Sequence, residues 1–192
     1  LNAPHSTIES GIAFVSEDRK GVGLLLNESI ELNIAFTAMQ IKELFMTKVL
    51  GLTFQNDRAM REHALKMIQD LDIRCESPLQ HTGSLSGGNQ QKVCVARALT
   101  QEPTLLFVSE PTRGIDIGAK KLILDLLLKL NEELGMTIVM TSSELAELRS
   151  ICDRIVIICE GKVGGVLPPD ATDAEFGLLM SGSKLNTAEG SH

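Results

Sequence analysis

Within the stretch Ser84 to Asp116, SLSGGNQQKVCVARALTQEPTLLFVSEPTRGID, three groups are of a kind that does chemistry. Ser86, Gly87 and Gly88 open a predicted helix that runs through Val93, Ala96 and Leu99 to Pro103. A helix N-terminus leaves backbone N–H groups without intrahelical partners, and the absence of large side chains lets an anion approach them. Glu110 follows 24 positions after Ser86, at the end of the apolar run Leu105-Leu106-Phe107-Val108. The carboxyl end of a buried strand is where an α/β protein places a catalytic carboxylate. Asp116 closes the stretch in an acidic turn and is equally placed to cap the helix that follows it.

The elements around these groups follow from periodicity and caps. Gly11 to Ser16 (GIAFVS) reads as a buried strand, and EDRKGVG behind it as a polar, glycine-punctuated loop. Ser29 to about Leu50 reads as one helix, with Ser29 as its cap and Gly51 as its end. Asn56 or Asp57 caps an amphipathic helix with Met60, Ala64, Met67, Ile68 and Leu71 on one face. Ala119 to Leu134 is a long helix, apolar on most sides, that stops at Gly135. Thr137 to Thr141 reads as a strand, Ser143 to Ser150 as a short helix, and Asp153 to Cys159 with Lys162 to Leu167 as a hairpin. Thr172 caps a last helix to Met180. Strands alternating with helices predict a largely parallel sheet covered on both faces.

Composition narrows the function classes. A chain of 192 residues with 43% hydrophobic content builds one good core with room for a satellite subdomain. Net charge is −7 and no Lys/Arg run exceeds two residues, which disfavours direct nucleic-acid binding. The apolar stretch Leu122 to Leu130 is broken by Asp125 and Lys129 and falls short of the ~20 residues a membrane span requires. Cys75, Cys94, Cys152 and Cys159 show no C-x-x-C spacing, so a reducing, cytoplasmic compartment is expected, with no disulfide. The start at Leu1 points to a piece of a longer chain, and Gly190-Ser191-His192 reads as an appended tail.

LSGGNQQK, a strand ending in SEPTRGID and a later strand ending in TSSEL, in that order, resemble the ATP-binding cassette (ABC) ATPases that drive ABC transporters. The resemblance spans roughly residues 11 to 181. With EDRKGVGL added, it is closest in kind to the second cassette of tandem-cassette importers of ribose, galactose and similar simple sugars. It implies a P-loop NTPase-like, three-layer α/β fold, here incomplete. The core would lie in 1–26 and 101–192, and a mostly helical subdomain in 27–100. It also implies ATP and Mg²⁺ as ligands, a second cassette and membrane permease subunits as partners, and a peripheral position on the inner face of the membrane. ABC-type ATPases of chromosome maintenance share the signature turn but flank it with coiled-coil heptads, which this chain lacks.

The resemblance assigns roles residue by residue. Ser86, Gly87 and Gly88 form the signature turn that presses on the γ-phosphate of ATP held by the opposite cassette, and Asn89 replaces a frequent glutamine there. Glu110 polarises the attacking water, and Asp116 contacts the opposite cassette. Three positions depart from the family pattern. Ser109 stands where an aspartate helps to hold Mg²⁺, Ser143 where a histidine reaches the γ-phosphate, and Glu17 where a glutamine senses Mg²⁺ and couples to the permease. No G-x-x-x-x-G-K-[ST] occurs, and there is neither Tyr nor Trp to stack on adenine. The chain is therefore expected to bind ATP weakly by itself. It is also expected to expose apolar sheet surface that favours association between copies.

Overall fold

A computed structural model describes residues 4–183. The chain forms two compact units, Leu1–Thr141 and Ser142–His192. The first is built on α1 (Pro4–Glu9), β1 (Ile12–Val15), a π-helical turn (Arg19–Gly23), α2 (Ile30–Lys42), β2 (Met46–Val49), β3 (Leu52–Gln55), α3 (Asp57–Asp70), α4 (Gly87–Leu99), β4 (Leu105–Ser109), α5 (Ile117–Leu134) and β5 (Thr137–Thr141). The second holds α6 (Leu145–Ile151), β6 (Ile155–Cys159), β7 (Lys162–Leu167) and α7 (Asp173–Met180).

In the first unit β1, β4 and β5 form a parallel sheet in that order, with Phe14 opposite Phe107 and Phe107 opposite Val139. Alternation along the strands sends Ala13, Val15, Leu106 and Val108 into the core, where α4 lies against β1 and α5 against β5. On the other face three apolar side chains of the described residues are open to solvent. Phe14, Phe107 and Val139 are exposed, so the expectation of a doubly covered sheet is corrected for these strands, while the expected apolar sheet surface is there. Helix α4 is buried on nearly every side, from Gln90 to Ala96, because the sheet, α2 and α5 all pack on it.

The helix read from Ser29 to Leu50 is shorter. It ends at Lys42, with Glu43 in the left-handed region, and the chain then turns into the β2–β3 hairpin. Leu50 and Gly51 form its two-residue loop with φ of +52° and +79°. Two consecutive positive φ values make the turn that matches the twist of paired strands. Gly51 thus closes a hairpin rather than a helix.

The second unit is a β6–β7 hairpin on α7, with Ile155, Ile157, Leu167, Phe176 and Leu179 as its core. Thr172 and Glu175 form a reciprocal capping box at the start of α7. Arg149 of α6 lies over the Phe176 ring at 4.8 Å and pairs with Asp173 at 2.8 Å. The tail Gly190 to His192 lies outside the described residues.

Candidate functional site

Ser86 caps α4 and its hydroxyl accepts from the Asn89 backbone N–H at 3.4 Å and from Asn89 Nδ2 at 3.0 Å. Neither bond uses the hydroxyl proton, which remains available to an anion in front of the exposed helix end. Asn89 is fixed from behind, because its Oδ1 accepts from the Arg74 backbone N–H at 2.9 Å. Gly88 is buried, and a Cβ there would sit 2.8 Å from the Cβ of Ala119. Glycine at this position therefore lets α4 and α5 approach, independently of any ligand.

Asp116 is the N-cap of α5, accepting from the Ala119 N–H at 2.9 Å. The capping role is realised, and the side chain is exposed at the same time. Glu110, at the end of β4, has φ of +43°, a region that bulky residues seldom adopt and that costs about 1–3 kcal/mol. Its N–H donates to the Thr141 carbonyl at 2.9 Å and its carbonyl accepts from Arg113 N–H at 3.1 Å, which holds the conformation. Ser109 lies opposite Thr141, whose hydroxyl donates to Ser109 Oγ at 3.3 Å.

Glu17 pairs with Arg113 at 2.9 Å, so the loop after β1 and the loop after β4 are joined by their charges. Two residues on, Arg19 is buried and donates to the carbonyl of Gly87 at 2.9 Å and to that of Gly114 at 3.4 Å. The turn Arg19–Gly23 is itself anchored. Arg97 of α4 donates to the carbonyls of Gly23 and Asn33, both at 2.7 Å. Burial pulls the Arg97 guanidinium below its ordinary value, and burial pushes the thiol of neighbouring Cys94 up to about 11, leaving it unreactive.

The structure thus joins Glu17, Gly87 and the turn before Asp116 through Arg113 and Arg19. Ser143 belongs to the second unit, exposed just ahead of α6. Sequence reading did not single out Arg19, Arg97 or Arg113. EDRK looks the same whether its basic residues are solvated or buried, and what distinguishes Arg19 from Lys20 lies 68 and 95 residues away.

The family model for ABC transporters matches residues 5–113, more than half of the chain. The chain belongs to the ABC transporter family. Among curated ABC relatives it is 40% identical over 175 residues to the Xylose import ATP-binding protein XylG of Thermoanaerobacter pseudethanolicus, covering 91% of this chain and 33% of that protein. It is 42% identical over 186 residues to the Ribose import ATP-binding protein RbsA of a Ruegeria species, covering 96% and 35% respectively. The chain therefore spans about a third of the length of these relatives. Among solved structures it matches a dimeric ATP-binding cassette in a post-hydrolysis state bound to ADP and Pi, with a TM-score of 0.68 and 24% identity, covering 90% of this chain and 69% of that one. At that identity the likeness establishes the fold, that of ABC ATPase cassettes.

Membership of the ABC family implies ATP and Mg²⁺. The cap of α4, whose hydroxyl accepts from Asn89 and keeps its proton to donate, suits a phosphate oxygen. The Ser109 end suits Mg²⁺ poorly. Ser109 and Thr141 bring neutral oxygens where a small divalent cation prefers carboxylate. Among the described residues no group of three or more His, Cys, Asp or Glu could hold a metal ion. No helix among them is long and apolar enough to cross a membrane.

Proposed function

We propose that these residues are part of the second cassette of an ATP-driven importer of simple sugars, working on the inner face of the membrane against permease subunits. The reading keeps the division into a core (1–26 and 101–192) and a helical subdomain (27–100). Ser86, Gly87, Gly88 and Asn89 serve the γ-phosphate of ATP held by the other cassette, and Asp116 faces that cassette. Glu110 belongs to this cassette's own site and orients the attacking water, a task for a positioned carboxylate. Ser109 and Glu17 weaken that same site, so its hydrolysis is slow. The observation that carries the reading is the Ser86 hydroxyl oxygen at the start of α4, which accepts from Asn89 twice and so leaves its proton free to donate. The relatives named as ribose and xylose import proteins support sugar as the cargo.

Two measurements test this. Calorimetry on the 192-residue chain should give no ATP affinity tighter than about the millimolar range, since no phosphate loop is present to bind the β- and γ-phosphates. Micromolar binding would sink the proposal. In the assembled importer, Ser86→Ala should lower ATP-driven uptake at limiting ATP by about ten- to a hundredfold, in keeping with loss of one hydrogen bond to a charged phosphate group. Uptake unchanged by that substitution would show that the turn is only a helix cap.

A further inference from the structure

We propose that Arg19 is a positioning residue that clamps the signature turn to the turn preceding Asp116, so that the loop carrying Glu17 sets the spacing of both. This rests on the nucleotide reading above for its consequence, though not for its geometry. One planar guanidinium, 8% exposed, donates through Nη1 to Gly87 and through Nη2 to Gly114. Both acceptors are carbonyls of glycines. A Cβ on Gly87 would lie 3.4 Å from Arg19 Nη1 and 3.1 Å from Ile115 Cγ2, and a Cβ on Gly114, where φ is +69°, would lie 3.5 Å from Arg19 Nη2. Glycine is favoured at Gly87 by the close approach of Ile115 and at Gly114 by its positive φ, and the guanidinium lies at contact distance from both.

The base of the clamp is rigid. Asp18 carbonyl accepts from both Val22 N–H at 3.1 Å and Gly23 N–H at 2.8 Å, and Asp18 Oδ1 accepts from Gly21 N–H at 2.8 Å. At the far end Gly23 is tied to Arg97 of α4. Beside it the Glu17–Arg113 pair runs between the same two loops, but that pair is exposed and screened by solvent. The guanidinium contact, partly buried, is less open to solvent than that pair and has a charged donor, so it is the one that fixes distance. A displacement of the Glu17 loop is therefore passed to Ser86 and to Asp116 together. Lysine cannot reproduce this, since an ammonium is a point donor without a planar fork.

The test is amide hydrogen exchange on the 192-residue chain with no nucleotide present. In Arg19→Met, peptides covering residues 84–90 and 112–118 should exchange about tenfold faster together, in keeping with the loss of buried charge-assisted bonds, while α3 is unchanged. In Arg19→Lys only one of the two peptides should accelerate. Wild-type exchange at both turns, acceleration confined to residues 17–24, or uniform acceleration that includes α3 would each overturn the clamp. In the assembled importer Arg19→Lys should raise KM for ATP about tenfold and leave kcat within about twofold, the pattern of lost binding rather than lost enzyme. A fall in kcat at unchanged KM would overturn it. An importer that hydrolyses no ATP at all would refute the nucleotide reading instead, and the exchange result would still decide the clamp.

Discussion

Glycine in the signature turn carries two separate demands, and Gly88 separates them from Gly87. At Gly87 the nearest neighbour of an added Cβ is Cγ2 of Ile115 at 3.1 Å, whereas at Gly88 it is the Cβ of Ala119 at 2.8 Å, which cannot move without α5. Gly88→Ala should therefore destabilise the chain. Overpacking costs about 1–3 kcal/mol, and the helix-propensity gain of alanine offsets at most about 1 kcal/mol of that. Adding Ala119→Gly reopens the space, so the double variant should recover most of the loss once the intrinsic cost of a new helical glycine is subtracted. Urea midpoints at constant m value measure this. Strictly additive effects would mean that the two residues do not meet. The caps Ser86 and Asp116 follow the same logic on a smaller scale. Each satisfies a helix N–H, worth about 1 kcal/mol, while its exposed face remains available to a partner.

At the scale of elements, the caps were readable and the hairpin was not. Ser29, Asn56, Ser86, Asp116 and Thr172 each accept from the backbone N–H three residues on, as their types and positions predict. The β2–β3 hairpin was hidden because helix formers (Leu44, Met46, Lys48, Leu50, Leu52) are interleaved with strand formers (Phe45, Thr47, Val49, Thr53, Phe54), and its turn has leucine where asparagine usually stands. That leucine is informative. Leu50 is fully exposed at φ of +52°, so it bears left-handed strain of about 1–2 kcal/mol and buries nothing in return. Leu50→Asn should raise the stability of the chain by about 0.5–1 kcal/mol, with the hairpin amides more protected. Thermal unfolding with no gain, or a loss, would show that Leu50 is held by contacts of its own. The loops at the candidate site were unreadable for a different reason. The burial of Arg19 and the pairing of Glu17 with Arg113 arise between segments about 70 to 100 residues apart, and no local pattern encodes them.

For the whole molecule the governing feature is the solvent-open apolar row on one face of the parallel sheet. Strand alternation requires a partner on each side of a buried parallel sheet, and helices α4 and α5 supply only one. Phe14, Phe107 and Val139 lie in one row across three strands, 64%, 38% and 42% exposed. Scattered exposed apolar residues are ordinary, but a contiguous row on a sheet face is a surface that seeks cover. The isolated chain should accordingly associate, with a weight-average mass in light scattering that rises with concentration. Substituting Phe14→Ser together with Phe107→Thr removes the two largest apolar side chains of the row. It should shift the chain toward monomer and cost little stability, because neither ring is deeply buried. A wild-type chain that stays strictly monomeric at high concentration would show that the face is satisfied within the chain itself. A double variant that associates as strongly as the wild type would move the contact elsewhere, for which the exposed β2–β3 hairpin, with Leu50, Leu52 and Phe54, is the next surface to substitute.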